Sequence, residues 1–359
     1  MTSAQENRAL TGLRGFAALL VCAHHLVLNL GGWPPPSETP LRALALRGYL
    51  MVDLFFVLSG FVMALAYEDW FAGKFDVETY ARFLWRRFAR LWPLHAFLVA
   101  ILLAVQVLDG HILAWWRMVV ANLAMVQAWG LSETLNIPSW SLSTEWAAYM
   151  LFPALAWLAL RGPPTRTIGA AGLAMTALLL AASLGAANPL GRRGPLDLYD
   201  NYSLLPLARC LAGFTLGLVA RRAMRLRWLA RWLAHPGWAA AAAALLLAGL
   251  AFGLADWLAY PLLVLLVAAL WAGNAGLSRA LAHPVPHKVG AWSYALYLVH
   301  VPLIHFWIVA GRPGPVLPAG AALLAASVAA AAVLHRIVEV PARRALRGLG
   351  RGKAKVAAG

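Results

Sequence analysis

Apolar residues along this chain come in long runs separated by short polar and basic stretches. Runs long enough to cross ~30 Å of hydrocarbon at ~1.5 Å per residue fall at 10–31, 48–67, 88–108, 140–160, 168–187, 204–220, 237–255, 257–273, 291–310 and 318–338. The pattern predicts an all-α fold, a polytopic membrane helical bundle of about ten transmembrane helices. A further stretch at 113–130 opens on Trp115 and Trp116, carries Arg117, Asn122 and Gln127, and runs into a loop through Pro138. It is expected to be re-entrant or interfacial.

Composition strengthens the membrane reading: 62% of the 359 residues are hydrophobic and only 12% are charged, and mean hydropathy is +0.69. A soluble core of this size cannot hide so much apolar surface. No Ser/Gly-rich or charged linker divides the chain, so residues 1–340 are expected to form one membrane domain and 341–359 a basic cytoplasmic tail. Cys22 and Cys210 both lie in apolar runs and are expected to pack as small hydrophobes. The first run lacks a small-residue cleavage site and is expected to stay as an anchor.

A net charge of +16 raises the question of nucleic acid, but topology absorbs it. With 113–130 non-spanning and both termini cytoplasmic, 23 of the 30 Lys and Arg lie inside, among them Lys74, the run Arg221 to Arg231, and the tail. Six lie outside, including Arg192, Arg193 and Arg312, and Arg209 alone sits within a span. A full span at 113–130 would reverse every later loop and expose the basic tail on the wrong side.

Ionisable groups inside hydrocarbon are costly, so each is a candidate for function, with structural ion pairing as the competing explanation. His25, Asp53, Glu145 and Arg209 all fall about 8 to 9 Å below the outer boundary when counted at 1.5 Å per residue. Arg209 can simply neutralise Asp53 and Glu145; alternatively His25 is a base oriented by one of the carboxylates, as acyl transfer to a hydroxyl requires. A second layer, at the cytoplasmic side, holds Arg14, Arg86, Arg87, Arg90 and Glu339. Arg87 and Arg90 are three apart and share a helix face suited to phosphate, although single arginines here more often snorkel to headgroups. Eleven residues separate Arg14 from His25, about 16.5 Å and three whole turns, so the two layers meet along one helix face.

Among the other motifs, Trp140 is at least as well explained by an interfacial anchor as by stacking on a sugar. Ser141 and Ser143 are expected to cap a helix ahead of any nucleophilic role. His300 is expected to hydrogen-bond between helices, and nothing singles out His24, His305 or His335. No spacing of Cys, His or carboxylates suggests a metal.

These residues resemble the acyltransferase 3 family, membrane enzymes that acylate extracytoplasmic carbohydrates and other acceptors from cytoplasmic acyl-coenzyme A. Leu-Thr-Gly-Leu-Arg14-Gly with His25, Val52-Asp53-Leu-Phe-Phe-Val-Leu-Ser59-Gly60-Phe61, and Arg87-Phe-Ala-Arg90 before Pro93 resemble its opening motifs. Trp140-Ser141-Leu142-Ser143-Thr144-Glu145 with Tyr149 and Pro153, Ser293-Tyr294 with Tyr297 and His300, and Glu339-x-Pro341 resemble the later ones. Trp146 and Ala147 depart from the more polar residues usual after the glutamate. The resemblance implies a multi-pass protein of the bacterial inner membrane. Arg14, Arg87 and Arg90 would bind acyl-CoA, such as acetyl-CoA, and His25 would be essential to transfer, with Asp53 and Glu145 as catalytic candidates. Trp140, Ser141, Ser143, Arg209, Tyr294, Tyr297, His300 and Glu339 would support the site or the acceptor. The partners implied are the lipid bilayer and a carbohydrate or lipid-linked acceptor, with no nucleic acid and no metal. The competing functional readings are a proton-coupled transporter of an anionic solute, with Arg209 as its anion site, and a non-catalytic polysaccharide assembly protein.

Overall fold

In the computed structural model, residues 7–30, 39–71, 73, 75–108, 116–186, 194–199, 202–311 and 316–356 are described. Lys74, Trp115, Arg192, Arg193 and Arg312, used above to read charge and boundaries, lie outside them. The chain enters through α1 (Arg8–Asn29), whose first turn is capped by the Asn7 side chain accepting from the Leu10 amide at 3.1 Å. There follow α2 (Pro40–Leu46), α3 (Met51–Tyr67), α4 (Val77–Leu108), α5 (Trp116–Leu123), α6 (Ser139–Met150), α7 (Phe152–Leu160) and α8 (Pro164–Ala186). The second half comprises α9 (Leu205–Ala223), α10 (Arg227–Leu233), α11 (Pro236–Phe252), α12 (Asp256–Ala272), α13 (Leu277–Leu281), α14 (Pro284–Val309), α15 (Val316–Leu334) and α16 (Val340–Val356).

Among the described residues, six helical stretches are long and apolar enough to cross a bilayer: Arg8–Asn29, Gly48–Phe71, Val77–Leu108, Pro164–Gly185, Pro284–Val309 and Pro318–Leu349. A seventh is available if α10 and α11, bent by 68°, act as one span. The expected run 140–160 is two helices, broken at Leu151 ahead of Pro153, which has no amide to donate. The expected run 204–220 is α9, lowered in hydropathy by Arg209, Arg221 and Arg222. The seventh and eighth of the expected ten, 237–255 and 257–273, are α11 and α12, with 17 residues each. Apolar run length reports burial and not where a helix breaks, which is why ten runs resolve into fewer long helices.

Within the stretch at 113–130, the described residues 116–130 contain the eight-residue α5, about 12 Å long and too short to span. Its irregular backbone is satisfied by protein. The Asn122 amide donates to the carbonyls of Met118 and Glu133 at 2.9 and 2.8 Å, and its oxygen accepts from the Leu135 amide. Trp92 donates to the Leu123 carbonyl and Gln127 to the Ser139 carbonyl. Non-helical backbone at membrane depth is tolerated when it is buried in this way.

Two close helix pairs position the site. The helices α3 and α9 run parallel, with Gly60 against the Phe214 carbonyl and Gly217 against the Val57 carbonyl and the Phe61 amide nitrogen; a Cβ at either glycine would collide with backbone. The helices α1 and α14 also run parallel, with Gly15 and Gly290 in backbone contact near their starts and His25 and His300 in contact ten residues later. The window covering α3 is the most buried of the candidate spans, so α3 is the central post. The residues expected to form a tail make α16, which lies across the start of α4, where Trp85 donates to the Leu346 carbonyl at 2.8 Å.

Candidate active site

A cavity of about 160 Å³ opens between α1, α3, α4, α6 and α14. At roughly 10–15 Å³ per water position, it holds about a dozen waters or a slender chain. One end is lined by Arg14, Arg87 and Arg90, the middle by Ser59, Glu145, Tyr149 and Tyr294, and the far end by Phe55, Ser141, Tyr297 and Leu298. Along α3 it runs from Phe55 to Met63, about 12 Å. The sequence-predicted arginines are thus brought together on one wall.

Their partners differ. Arg87 donates to the Tyr67 hydroxyl at 2.6 Å and lies over that ring, while its buried Nε has no partner among the described residues. Arg90 donates to Glu339 and lies over Tyr294 at 5.3 Å. Glu339 is buried in a π-helical turn, His335–Glu339, between α15 and α16; it also bonds His335 at 2.9 Å and pairs with Arg343 at 3.7 Å. Such turns inside helices mark functional sites often enough to be noticed. Arg14 makes no hydrogen bond among the described residues, and its electrostatic neighbours are Arg90, Glu145, Tyr149 and Glu339. A guanidinium with no protein acceptor on a cavity wall is suited to an anionic ligand.

Glu145 does not lie at the depth expected of it. It accepts from Ser59 and Tyr149, and Ser59 is six residues, about 9 Å, further along α3 than Asp53. The difference arises at the helix start: α6 begins at the buried Ser139, whose carbonyl and hydroxyl accept from Gln127 of the preceding segment. Glu145 therefore belongs with the arginine cavity. Tyr149, one turn on at i+4, was visible in the sequence as a same-face neighbour; Ser59, on another helix, was not.

His25 contacts no carboxylate among the described residues, which corrects the expected carboxylate–histidine pair. Its Nδ1 lies 3.0 Å from the Val21 carbonyl and 3.1 Å from His300 Nε2, with the two rings 4.9 Å apart. His300 in turn has Nδ1 3.1 Å from the Leu296 carbonyl. One tautomer assignment satisfies all three contacts. The Leu296 carbonyl holds the proton on His300 Nδ1, leaving its Nε2 as acceptor; His25 Nδ1–H donates to that nitrogen and to Val21. The lone pair of His25 is then left on Nε2, the state a general base requires. His300, foreseen as a bond between helices, makes that bond to His25. His24 turns its Nδ1 to the Ala45 carbonyl, with its ring edge-on to Tyr49 and to His25.

Asp53 is wholly buried and committed elsewhere. Its two oxygens accept from Arg209 Nε at 2.7 Å and Nη2 at 2.6 Å, and Tyr260 donates to the same carboxylate. Arg209 also donates to the carbonyls of Tyr49 and Leu198, which engages four of its five N–H donors. It pairs with Asp53 and not with Glu145. The same end holds Asp256, which accepts from the Tyr49 hydroxyl and the Leu196 amide, both at 2.8 Å.

Trp140 is 7% exposed, lies under the Arg209 guanidinium at 5.4 Å and meets Phe56, so it is a core residue and not an interfacial anchor. Neither serine caps α6. Ser141 bonds the Tyr297 hydroxyl at 2.8 Å, and Ser143 accepts from the Ala128 amide at 3.2 Å. The Tyr297–Ser141 bond closes the far end of the cavity; Tyr297 also lies 6.0 Å from the His300 ring, and His25 is outside the lining. An open passage from the arginines to His25, as helix geometry alone suggested, is therefore interrupted at Tyr297. The tyrosines Tyr49 and Tyr260, and His335 beside Glu339, had carried no signal in the sequence beyond their type. Among the described residues no group of three His, Cys, Asp or Glu is placed to hold a metal, and Cys22 and Cys210 are buried and free.

Comparison with known proteins adds the following. Residues 7–336 match a family model described as an acyltransferase domain. Acyltransferase MdmB of Streptomyces mycarofaciens is 34% identical over 372 residues, covering 94% of this chain and 92% of that protein. Protein 2 in the picA locus of Rhizobium radiobacter is 42% identical over 98 residues, 26% of this chain and 43% of its own length. No solved structure matches.

Proposed function

We infer, for a chain that belongs to the acyltransferase family whose domain model it matches over residues 7–336, that it is a membrane-embedded O-acyltransferase. It takes an acetyl or other short acyl group from cytoplasmic acyl-CoA and gives it to a hydroxyl of a carbohydrate or similar acceptor near the outer face. The observation that carries the reading is the arrangement along α1: Arg14, without a hydrogen bond among the described residues, lines an arginine-rich cavity, and His25, about 16.5 Å away on the same face, keeps its lone pair on Nε2 in the tautomer its contacts favour. That separation is about the reach of a pantetheine arm.

In the proposed reaction His25 Nε2 takes the proton of the acceptor hydroxyl as its oxygen attacks the thioester carbonyl. The tetrahedral intermediate collapses with a new C–O bond formed and the C–S bond broken, and the proton passes from His25 to the departing sulfur. His300 accepts from the Nδ1–H of the imidazolium as charge develops, and so acts through His25. Arg14, Arg87 and Arg90 hold donor phosphates. Tyr297 must swing from Ser141 for the thioester to pass. Asp53 and Arg209 serve as a buried post fixing α3 to α9, not as acid and base. Ten crossings, with the paired and shorter helices counted as spans and both termini in the cytoplasm of a bacterial cell, put the basic layer on the donor side.

The test is free-thiol release from acetyl-CoA by the purified protein in nanodiscs, with and without carbohydrate acceptors. We expect acceptor-dependent release that His25→Ala abolishes with its gel-filtration profile unchanged. Release by the alanine variant at the parental rate would remove His25 from the reaction.

A further inference from the structure

The basic end of the molecule holds more cationic charge than the cavity uses. Arg14, Arg87 and Arg90 line the cavity, but α16 brings two further guanidiniums, Arg343 and Arg347, one helical turn apart. Trp85 pins α16 across the start of α4, and Arg343 is drawn to Glu339 beside Arg90. Arg347 is exposed and makes no hydrogen bond or ion pair among the described residues. Its electrostatic neighbours are Arg86, Arg87 and Arg90, together with Tyr67. Arg86 lies over Trp70, 4.7 Å away. Six guanidiniums thus converge where Glu339 and Glu145 are the carboxylates that face them.

Such an arrangement is repulsive unless an anion arrives, and its magnitude is informative. Six positive and two negative charges leave a net excess near that of the diphosphate and phosphate groups of coenzyme A combined. The charge also lies in two places: inside the cavity, on α1 and α4, and outside it, on α16. A coenzyme A thioester has the same division, because its ribose phosphate is set apart from the diphosphate that carries the pantetheine arm.

We propose that Arg343 and Arg347 of the C-terminal helix form a second phosphate subsite that receives the ribose 3′-phosphate of the donor, while the cavity arginines hold its diphosphate. The proposal rests on the acyl-CoA reading above. It makes α16 part of the donor site and explains why a basic segment at the end of the chain folds against α4 instead of trailing away.

The experiment compares acetyl-CoA with acetyl-dephospho-CoA, which lacks only that phosphate, in nanodiscs. Binding of coenzyme A and dephospho-CoA is measured by calorimetry alongside turnover. The parent is expected to prefer the phosphorylated form by about tenfold or more, as one charge-assisted contact allows. Arg347→Ala should weaken acetyl-CoA by that factor, leave dephospho-CoA within twofold, and keep kcat and thermal stability; Arg347→Lys should recover part of the preference. Equal loss for both donors, or none for either, overturns the proposal while leaving the acyltransfer reading intact. Activity that instead follows anionic lipid content, with Arg347→Glu reversing the dependence, makes α16 a headgroup anchor and also overturns it. Absence of any coenzyme A binding removes both readings together.

Discussion

Replacing His300 tests how the proposed base is held. His300→Phe keeps an aromatic ring of similar size in a fully buried position but removes the acceptor 3.1 Å from His25 Nδ1. The Val21 carbonyl at 3.0 Å still accepts from that nitrogen, so His25 is not left with a buried unsatisfied donor and the fold should persist. What is lost is the bond that strengthens as His25 becomes charged. Hydrogen bonds to charged groups are worth about 1.5–3 kcal/mol, and each 1.36 kcal/mol is a factor of ten in rate, so kcat should fall by roughly 10- to 150-fold. Since Val21 remains, the lower part of that range is expected. The donor KM should stay within about twofold, because the arginines lie at the other end of α1. His300→Gln, whose amide oxygen can accept, should recover a good part of the rate. Acetyl transfer in nanodiscs, with kcat and KM measured separately, decides it. A phenylalanine variant within threefold of the parent, or a glutamine variant no better than phenylalanine, would refute the positioning role.

Asp53→Ala should destabilise by about 3–5 kcal/mol by stranding the buried Arg209, and Asp53→Leu with Arg209→Met should cost clearly less; thermal unfolding in detergent measures the difference. Gly217→Leu should abolish a monodisperse gel-filtration peak, because its side chain meets the Val57 carbonyl, whereas Gly169→Leu, in open space, should not. Arg14→Ala should leave thermal stability nearly unchanged, since Arg14 makes no hydrogen bond among the described residues, but raise the donor KM by about tenfold or more. Tyr297→Phe, which frees the ring from Ser141, should raise the rate of acetyl-CoA hydrolysis without acceptor; an unchanged background rate would show that the Tyr297–Ser141 contact does not gate the passage.

What was legible in the sequence concerns single helices. Bilayer thickness and the need to satisfy every backbone polar group make a membrane helix a long apolar run, so composition and run length sufficed for the class. Helical periodicity likewise put Arg14 and His25 on one face and Arg87 beside Arg90, because both relations lie within one element. Even here the reading had a limit. A window of hydrophobicity does not register the Pro153 break after Leu151 or the buried start of α6, so Glu145 lies away from the depth counted along its run and ten apolar runs resolve into fewer long helices.

Relations between helices were decided by the tertiary structure alone. Which group meets His25 depends on how α14 is rotated and at what height it sits. Glycine contacts at Gly15 and Gly290 set both, and the result is His300 in place of a carboxylate. The same holds for Asp53, consumed by Arg209 across the α3–α9 contact, and for α16, whose fold onto α4 brings Arg343 and Arg347 to the arginine cavity. Local spacing along a chain carries rise and rotation within a helix; it carries nothing about the packing of small residues that lets two helices approach, and that packing assembled this site.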